Sequence, residues 1–146
     1  MPQPQNYKNH VRWYPPHHFV FYPLMLILIV GAVYQVFSTD ENQIVWIFIT
    51  VMLAVIVWVA FMMRQHYALT LQNRLVLTEL RYRYFVITGQ RFELLEKKLT
   101  EGQLFGLRFA PDNELEELVG RTIREQLSPD AVKRTIVNWR ADNHRV

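Results

Sequence analysis

Two stretches of this chain lose all alternation between apolar and polar positions. Phe19–Phe37 and Ile44–Met63, 19 and 20 residues long, contain no Asp, Glu, Lys, Arg or His. A helix rising about 1.5 Å per residue needs about 20 such residues to cross about 30 Å of hydrocarbon. A buried helix of a soluble protein is seldom apolar on every face. Both stretches are therefore predicted to span a bilayer, joined by the short connection Ser38–Gln43. Beyond the second stretch the pattern becomes helical and two-sided. Ala68, Leu71, Leu75, Thr78, Tyr82 and Phe85 recur at alternating three- and four-residue steps, beside a stripe of Leu69, Val76 and Leu80. That wide apolar face predicts that the second span continues as a helix that packs against something. The candidates for its cover are the rest of the chain, a second copy, or the membrane surface.

The remaining residues read as short helices with recognisable starts. Tyr82–Thr88 is rich in strand formers, but the preceding register runs through it to Phe92, so helix is the expectation, broken at Gly89. Phe92–Leu99 then forms a short helix. Thr100 followed by Gln103 is a capping box, opening an apolar helix through Leu104, Phe105, Leu107 and Phe109. Asp112 is placed to cap the next helix, whose early Glu114, Glu116 and Glu117 oppose the positive end of its dipole. Leu115, Leu118, Val119, Ile123 and Leu127 form that helix's apolar face. Ser128–Pro129 reads as a cap followed by proline at the first helical position, with Val132, Ile136 and Trp139 inward on the last helix. Ala141–Val146 is polar and expected to fray unless Trp139 and Val146 dock.

Charge placement orients the spans. Lys8 and Arg12 precede the first span without an acid; Asp40 and Glu41 occupy the connection without a base. Arg64, Arg74, Arg81 and Arg83 follow the second span, against Glu79 alone. Basic residues near span ends stay cytoplasmic, which predicts both ends inside and the acidic turn outside. Trp13, Tyr14, Tyr22, Tyr34, Trp46, Trp58 and Tyr67 fall near the expected interfaces, where amphipathic rings prefer to sit. Pro23 is tolerable in the first turn of span one. Pro15–Pro16 predicts an extended approach to it. Gly31 with Ala32 is a candidate point of close helix approach. The bulky Tyr34–Gln35–Val36–Phe37 argues against signal cleavage after the first span.

Composition adds limits. Mean hydropathy near zero conceals the two apolar blocks. With no cysteine, disulfides and thiol chemistry are excluded. His10, His17 and His18 lack a nearby carboxylate and are better read as an interfacial polar segment than as a zinc site, which needs three or four convergent ligands. Arg81, Arg83, Arg91, Lys97 and Lys98 interleave with Tyr82, Tyr84, Phe85 and Phe92. So close to a span, this pattern favours anionic lipid headgroups over nucleic acid, or pairing within the protein. Glu114, Glu116, Glu117 and Glu125 match a solvated helix face, with Arg121 at salt-bridge spacing from Glu117. No phosphate loop, nucleophile elbow or zinc-protease motif occurs. The spans carry no ionisable residue of the kind that marks a proton relay or ion path, and their notable polar side chains, Thr50 and Gln35, can satisfy themselves locally or across the hairpin.

Gln5–Asn6–Tyr7–Lys8–Asn9–His10 with His17–His18–Phe19–Val20, Tyr84–Gly89 with Arg91–Phe92–Glu93, Gln103–Ala110 and Ile136–Asp142 resemble a bacterial family of small two-span membrane proteins of unknown function. The resemblance covers nearly the whole chain. It implies bacterial origin and the same topology, and brings no activity or catalytic residue.

The expected architecture is all-α. A juxtamembrane segment (1–18) leads to transmembrane helices 19–37 and 44–63, linked by an external turn (38–43) and followed by a cytoplasmic helical module (64–146). The expected function is a non-enzymatic inner-membrane scaffold or accessory subunit, its partners being membrane lipids and a second copy or another membrane protein. No nucleic acid, small-molecule substrate, cofactor or metal is expected. The alternative is an oligomeric channel or lipid-handling protein. Leu71, Leu75, Tyr82 and Phe85 are the expected partner contacts, and Arg64, Arg74, Arg81 and Arg83 the expected headgroup ligands.

Overall fold

The computed structural model describes residues 4–11 and 14–142. Helix accounts for every regular element among them. These are α1 (Tyr22–Ser38), α2 (Gln43–Met62), α3 (Leu69–Thr88), α4 (Glu93–Glu96), α5 (Glu101–Leu107), α6 (Asp112–Glu125) and α7 (Pro129–Thr135), with π-helical turns at Pro16–Phe21 and Met63–Ala68. The described residues divide into two compact units, one of 14–70 and one of 4–11 with 71–142.

The first unit is a hairpin of α1 and α2 joined by residues 39–42. Pro16–Ser38 and the helical run Gln43–Thr88 are both long and apolar enough to cross a membrane. Most of their large apolar side chains face outward, while Met25 and Ala32 are buried. Ala32 is thus the point of close approach; Gly31 faces open space. The polar groups close locally. Thr50 donates to the Trp46 carbonyl at 2.8 Å, Thr39 to the Gln35 side chain at 3.2 Å, and Gln43 to the Val36 carbonyl at 3.1 Å. The expected extended approach to α1 is replaced by helix. The backbone turns helical at Pro15 and widens into the π-turn, because proline's fixed φ suits a first turn, where its missing N–H costs nothing.

In the second unit α3 supplies one inward stripe, Leu77, Leu80 and Tyr84, to a core completed by Phe92, Leu104, Leu107, Phe109, Leu115, Leu118, Val119, Val132 and Ile136. Tyr82–Thr88 is helix and ends at Gly89, whose φ of 68° is left-handed backbone that glycine adopts without a Cβ penalty. α4 is shorter than expected, four residues followed by turns.

The capping box forms as expected. Gln103 N–H donates to the Thr100 hydroxyl at 3.4 Å, and the Gln103 side-chain oxygen accepts from Thr100 N–H at 2.7 Å. The same side chain donates to the Leu127 carbonyl at 2.7 Å, tying α5 to the link between α6 and α7. Gly102 and Gly106 face α7. A Cβ at Gly102 would stand 2.9 Å from the Pro129 ring, and one at Gly106 3.1 Å from Val132, so these helices meet where α5 has no side chain.

Ser128 caps α7 by accepting from Ala131 N–H at 3.1 Å. α7 stops at Thr135, and Ile136 is already extended. Ile136 and Trp139 still pack inward, from the segment after the helix rather than on it. Asp142 is held by Gln5 and, at 3.5 Å, by Arg108; the expected docking of Val146 lies outside the described residues.

Candidate functional site

α3 presents two faces of different character. On the inward face lies Arg83, 7% exposed, with all three guanidinium nitrogens hydrogen-bonded. Nε and Nη2 donate to one Asp112 oxygen at 2.9 and 2.7 Å, Nη1 to the Arg108 carbonyl at 3.1 Å, and Nη2 to the Ala110 carbonyl at 2.6 Å. The last carbonyls of a helix have no partner within it, and Arg83 closes the chain just past α5. Sequence spacing favoured Asp112 as a cap for α6. Asp112 instead opens the helix after Pro111 and turns its carboxylate to Arg83 and, at 3.6 Å, Arg140.

The other arginines expected at headgroups are placed variously. Arg64 is half-buried in the second π-turn and Arg74 is exposed. Arg81 makes a two-pronged bond to Glu96, 2.8 Å for each prong, which raises its pKa. Arg83 does not present its charge to the surface at all: the carbonyl cluster near the end of α5 draws it inward.

On the outward face stand the residues expected to meet a partner. Leu71, Leu75, Tyr82 and Phe85 are 59, 70, 69 and 53% exposed. Tyr82 and Phe85, with Thr78, Arg81, Arg91 and Glu93, line a groove along this edge of α3. Of the neighbouring stripe expected at Leu69, Val76 and Leu80, the core cluster takes Leu80, joined by Leu77 and Tyr84 from outside that stripe, and the second unit leaves the wider stripe uncovered.

A second assembly was missed by sequence reasoning. Residues 4–11 fold as a turn on the second unit. Asn6 N–H donates to the Asn9 side chain at 2.6 Å, and the Asn6 side chain accepts from Lys8 N–H at 2.9 Å. The Tyr7 hydroxyl donates to Asp130 and accepts from Arg134 at 3.0 Å, while the Arg134 guanidinium covers the Tyr7 ring at 4.7 Å. His10 lies against Phe109 and Trp139, with ring centroids 6.0 and 5.7 Å away. Its Nδ1 stands 2.6 Å from the Tyr7 carbonyl. The Gln5 side-chain oxygen accepts from Asp142 N–H at 2.7 Å. His10 is thus a packing residue of this clamp. His17 and His18 lie in the first π-turn, where His17 Nε2 is 3.1 Å from the Tyr22 hydroxyl. Among the described residues no three metal-ligating side chains converge.

The Tyr7 hydroxyl, and then Arg134, hold the Asp130 carboxyl below its ordinary pKa. A depressed carboxylate pKa contributes stability above the unfolded-state value, and that contribution is lost as pH falls through the folded-state value. The clamp should therefore hold at neutral pH and loosen in acid, below the ordinary carboxylate range. Tyr7→Phe should move that loosening to higher pH and raise opening of residues 4–11 about five-fold at neutral pH, the scale of one lost hydrogen bond. Hydrogen exchange of these amides against pH measures both effects. An unchanged profile would remove Tyr7 from the clamp.

Two of the four glutamates of α6, Glu114 and Glu125, hold structure. Glu114 accepts from Val137 N–H, Asn138 N–H and the Asn138 side chain at 3.1, 3.2 and 2.9 Å, fixing the segment after α7. Arg121 pairs with Glu125 at 3.0 Å rather than with Glu117, its other neighbour at the same spacing. Glu114, Glu117, Arg121 and Asn138 line an open cleft of about 370 Å³.

A family model described as a family of unknown function matches residues 1–146. No curated protein and no solved structure matches the chain.

Proposed function

Because the chain belongs to DUF6526, a family of unknown function, its role must be argued from its own residues, and we propose that it is a non-enzymatic scaffold anchored in the bacterial inner membrane. The α1–α2 hairpin crosses the bilayer twice, and both ends lie in the cytoplasm. The observation that carries this reading is the clamp. Residues 4–11 precede the first apolar helix, and their partners Phe109, Asp130, Arg134 and Trp139 follow the second. Segments that touch must lie on the same side of a membrane, which requires an even number of crossings between them. The basic flanks and the acidic turn Asp40–Glu41 then favour the cytoplasm for that side.

Assembly is supported by the uncovered face of α3. An exposed apolar stripe beside a membrane anchor is a surface for another protein. The acids Glu96, Asp112 and Glu114 are engaged in holding helices and backbone, which favours a structural role over acid–base chemistry.

Extraction in native lipid followed by mass measurement tests the proposal. More than one copy, or a co-purifying membrane protein, is the expected result; a lone monomer would overturn assembly. Water-soluble thiol probes test topology. A cysteine placed at Glu41 should react from the outside of intact cells, and one at Arg124 only after the membrane is opened. Labelling of both from one side would sink the two-crossing arrangement.

A further inference from the structure

We infer that α3 pairs with α3 of a second copy as a parallel, in-register coiled coil; this rests on the membrane reading above. Leu71, Leu75, Thr78, Tyr82 and Phe85 follow steps of four, three, four and three residues, the heptad seam of a left-handed coiled coil. With Leu75 and Tyr82 at the a positions, Leu71, Thr78 and Phe85 are the d positions. The apolar members of this seam stand exposed along one edge of the helix, while the core takes Leu77, Leu80 and Tyr84 from another.

The occupant follows from charge and from the anchor. In this register Arg74 is a g position and Glu79 the e position five residues on, the pair that meets across a parallel dimer. Both are exposed, and the alignment brings Arg74 of one copy to Glu79 of the other twice, once on each side of the seam. Glu79 also holds Arg140 at 3.1 Å through one carboxylate oxygen, which leaves the other to accept across the interface. Two copies inserted with the same topology leave the bilayer pointing the same way at the same depth. The anchor thus selects the parallel, in-register arrangement in which these charges match. Two heptads are a short coiled coil, and confinement to a membrane supplies the effective concentration that a free peptide would lack.

The chain has no cysteine, so single substitutions report without background. L75C, T78C and Y82C should each give disulfide-linked dimers when native membranes are oxidised. I87C, exposed on α3 but outside the seam, should not. R74E should lower the L75C yield about two- to five-fold, the scale of exposed ion pairs. E79R should do the same, and R74E with E79R should restore the yield. Equal crosslinking at positions 75 and 87, or crosslinks only between a cysteine at Leu71 and one at Phe85, would overturn the parallel seam. So would failure of the double reversal to restore yield. Seam cysteines shielded from aqueous maleimide without forming dimers would assign the face to lipid instead. Several copies by native mass without seam crosslinks would overturn this pairing and leave the scaffold reading standing; a single copy would overturn both.

Discussion

Phe92→Ala should lower the unfolding free energy of the second unit by about 3–5 kcal/mol, the range for a large aromatic deleted from a packed core. Phe92 has no solvent exposure, and its ring centroid lies 5.0 Å from that of Tyr84. It sits just after the left-handed turn at Gly89, where the chain leaves α3 to begin α4. The ring therefore fixes the direction of the return as well as filling space. The core cluster it belongs to draws on helices held by the capping box and by the Arg83 bonds, so little collapse into the cavity is expected. For a unit of this size each kcal/mol shifts the midpoint by about 4–8 °C. Thermal melting of the detergent-solubilised chain, followed by hydrogen exchange of α6 amides, measures it. A loss below about 1 kcal/mol would mean that Phe92 does not organise this core.

Arg83→Met should cost about 3 kcal/mol, and the reason lies more with carbonyls than with charge. The Asp112 side chain is 65% exposed, so the ion pair alone contributes modestly. Arg140 also remains 3.6 Å from Asp112 when Arg83 is gone. The Ala110 carbonyl, which accepts from Arg83 Nη2 at 2.6 Å, is the costlier loss. Ala110 is fully buried, and leaving its carbonyl without a donor costs the full desolvation of that group. Methionine keeps the aliphatic stem, which separates the lost bonds from lost packing. Lysine tests the geometry: a single ammonium cannot reproduce the planar fork that reaches Asp112 and two carbonyls together. Chemical denaturation should rank wild type above Arg83→Lys, and Arg83→Lys above Arg83→Met. A lysine variant as stable as wild type would show that charge, and not the fork, holds the end of α5.

Local signals were readable in the residues. The two uncharged stretches, the Thr100–Gln103 box, the Ser128–Pro129 cap and the stop at Gly89 each depend on groups within a few positions of one another. The faces of α3 were half readable. Two apolar stripes were visible, but the inward one runs through Leu77, Leu80 and Tyr84, and placing it required knowing that Arg83, between Leu80 and Tyr84, would find carbonyls to bond. Asp112 illustrates the same limit: its position fits a cap, but its carboxylate goes instead to a buried guanidinium across the unit. The clamp was the least readable feature. Gln5, Tyr7 and His10 form no periodic pattern, and their partners in the rest of the unit lie about a hundred residues away or more. Such pairings are made by individual polar and aromatic groups, which leave no trace in hydrophobic spacing. The open stripe at Leu71, Leu75, Tyr82 and Phe85 was legible as apolar, but whether the unit covered it depended on all the other helices.

The clamp also sets an order of events during synthesis. Residues 4–11 leave the ribosome before both apolar helices, and Asp130, Arg134 and Trp139 emerge only after them. Everything between, including both apolar helices, is made while the opening segment waits without its binding surface. Closure therefore waits for α7, and a chain truncated before α7 lacks the Asp130 and Arg134 that hold Tyr7. Wherever synthesis stops short of α7, the Tyr7 ring stands without its guanidinium cover, the same mark on every such copy.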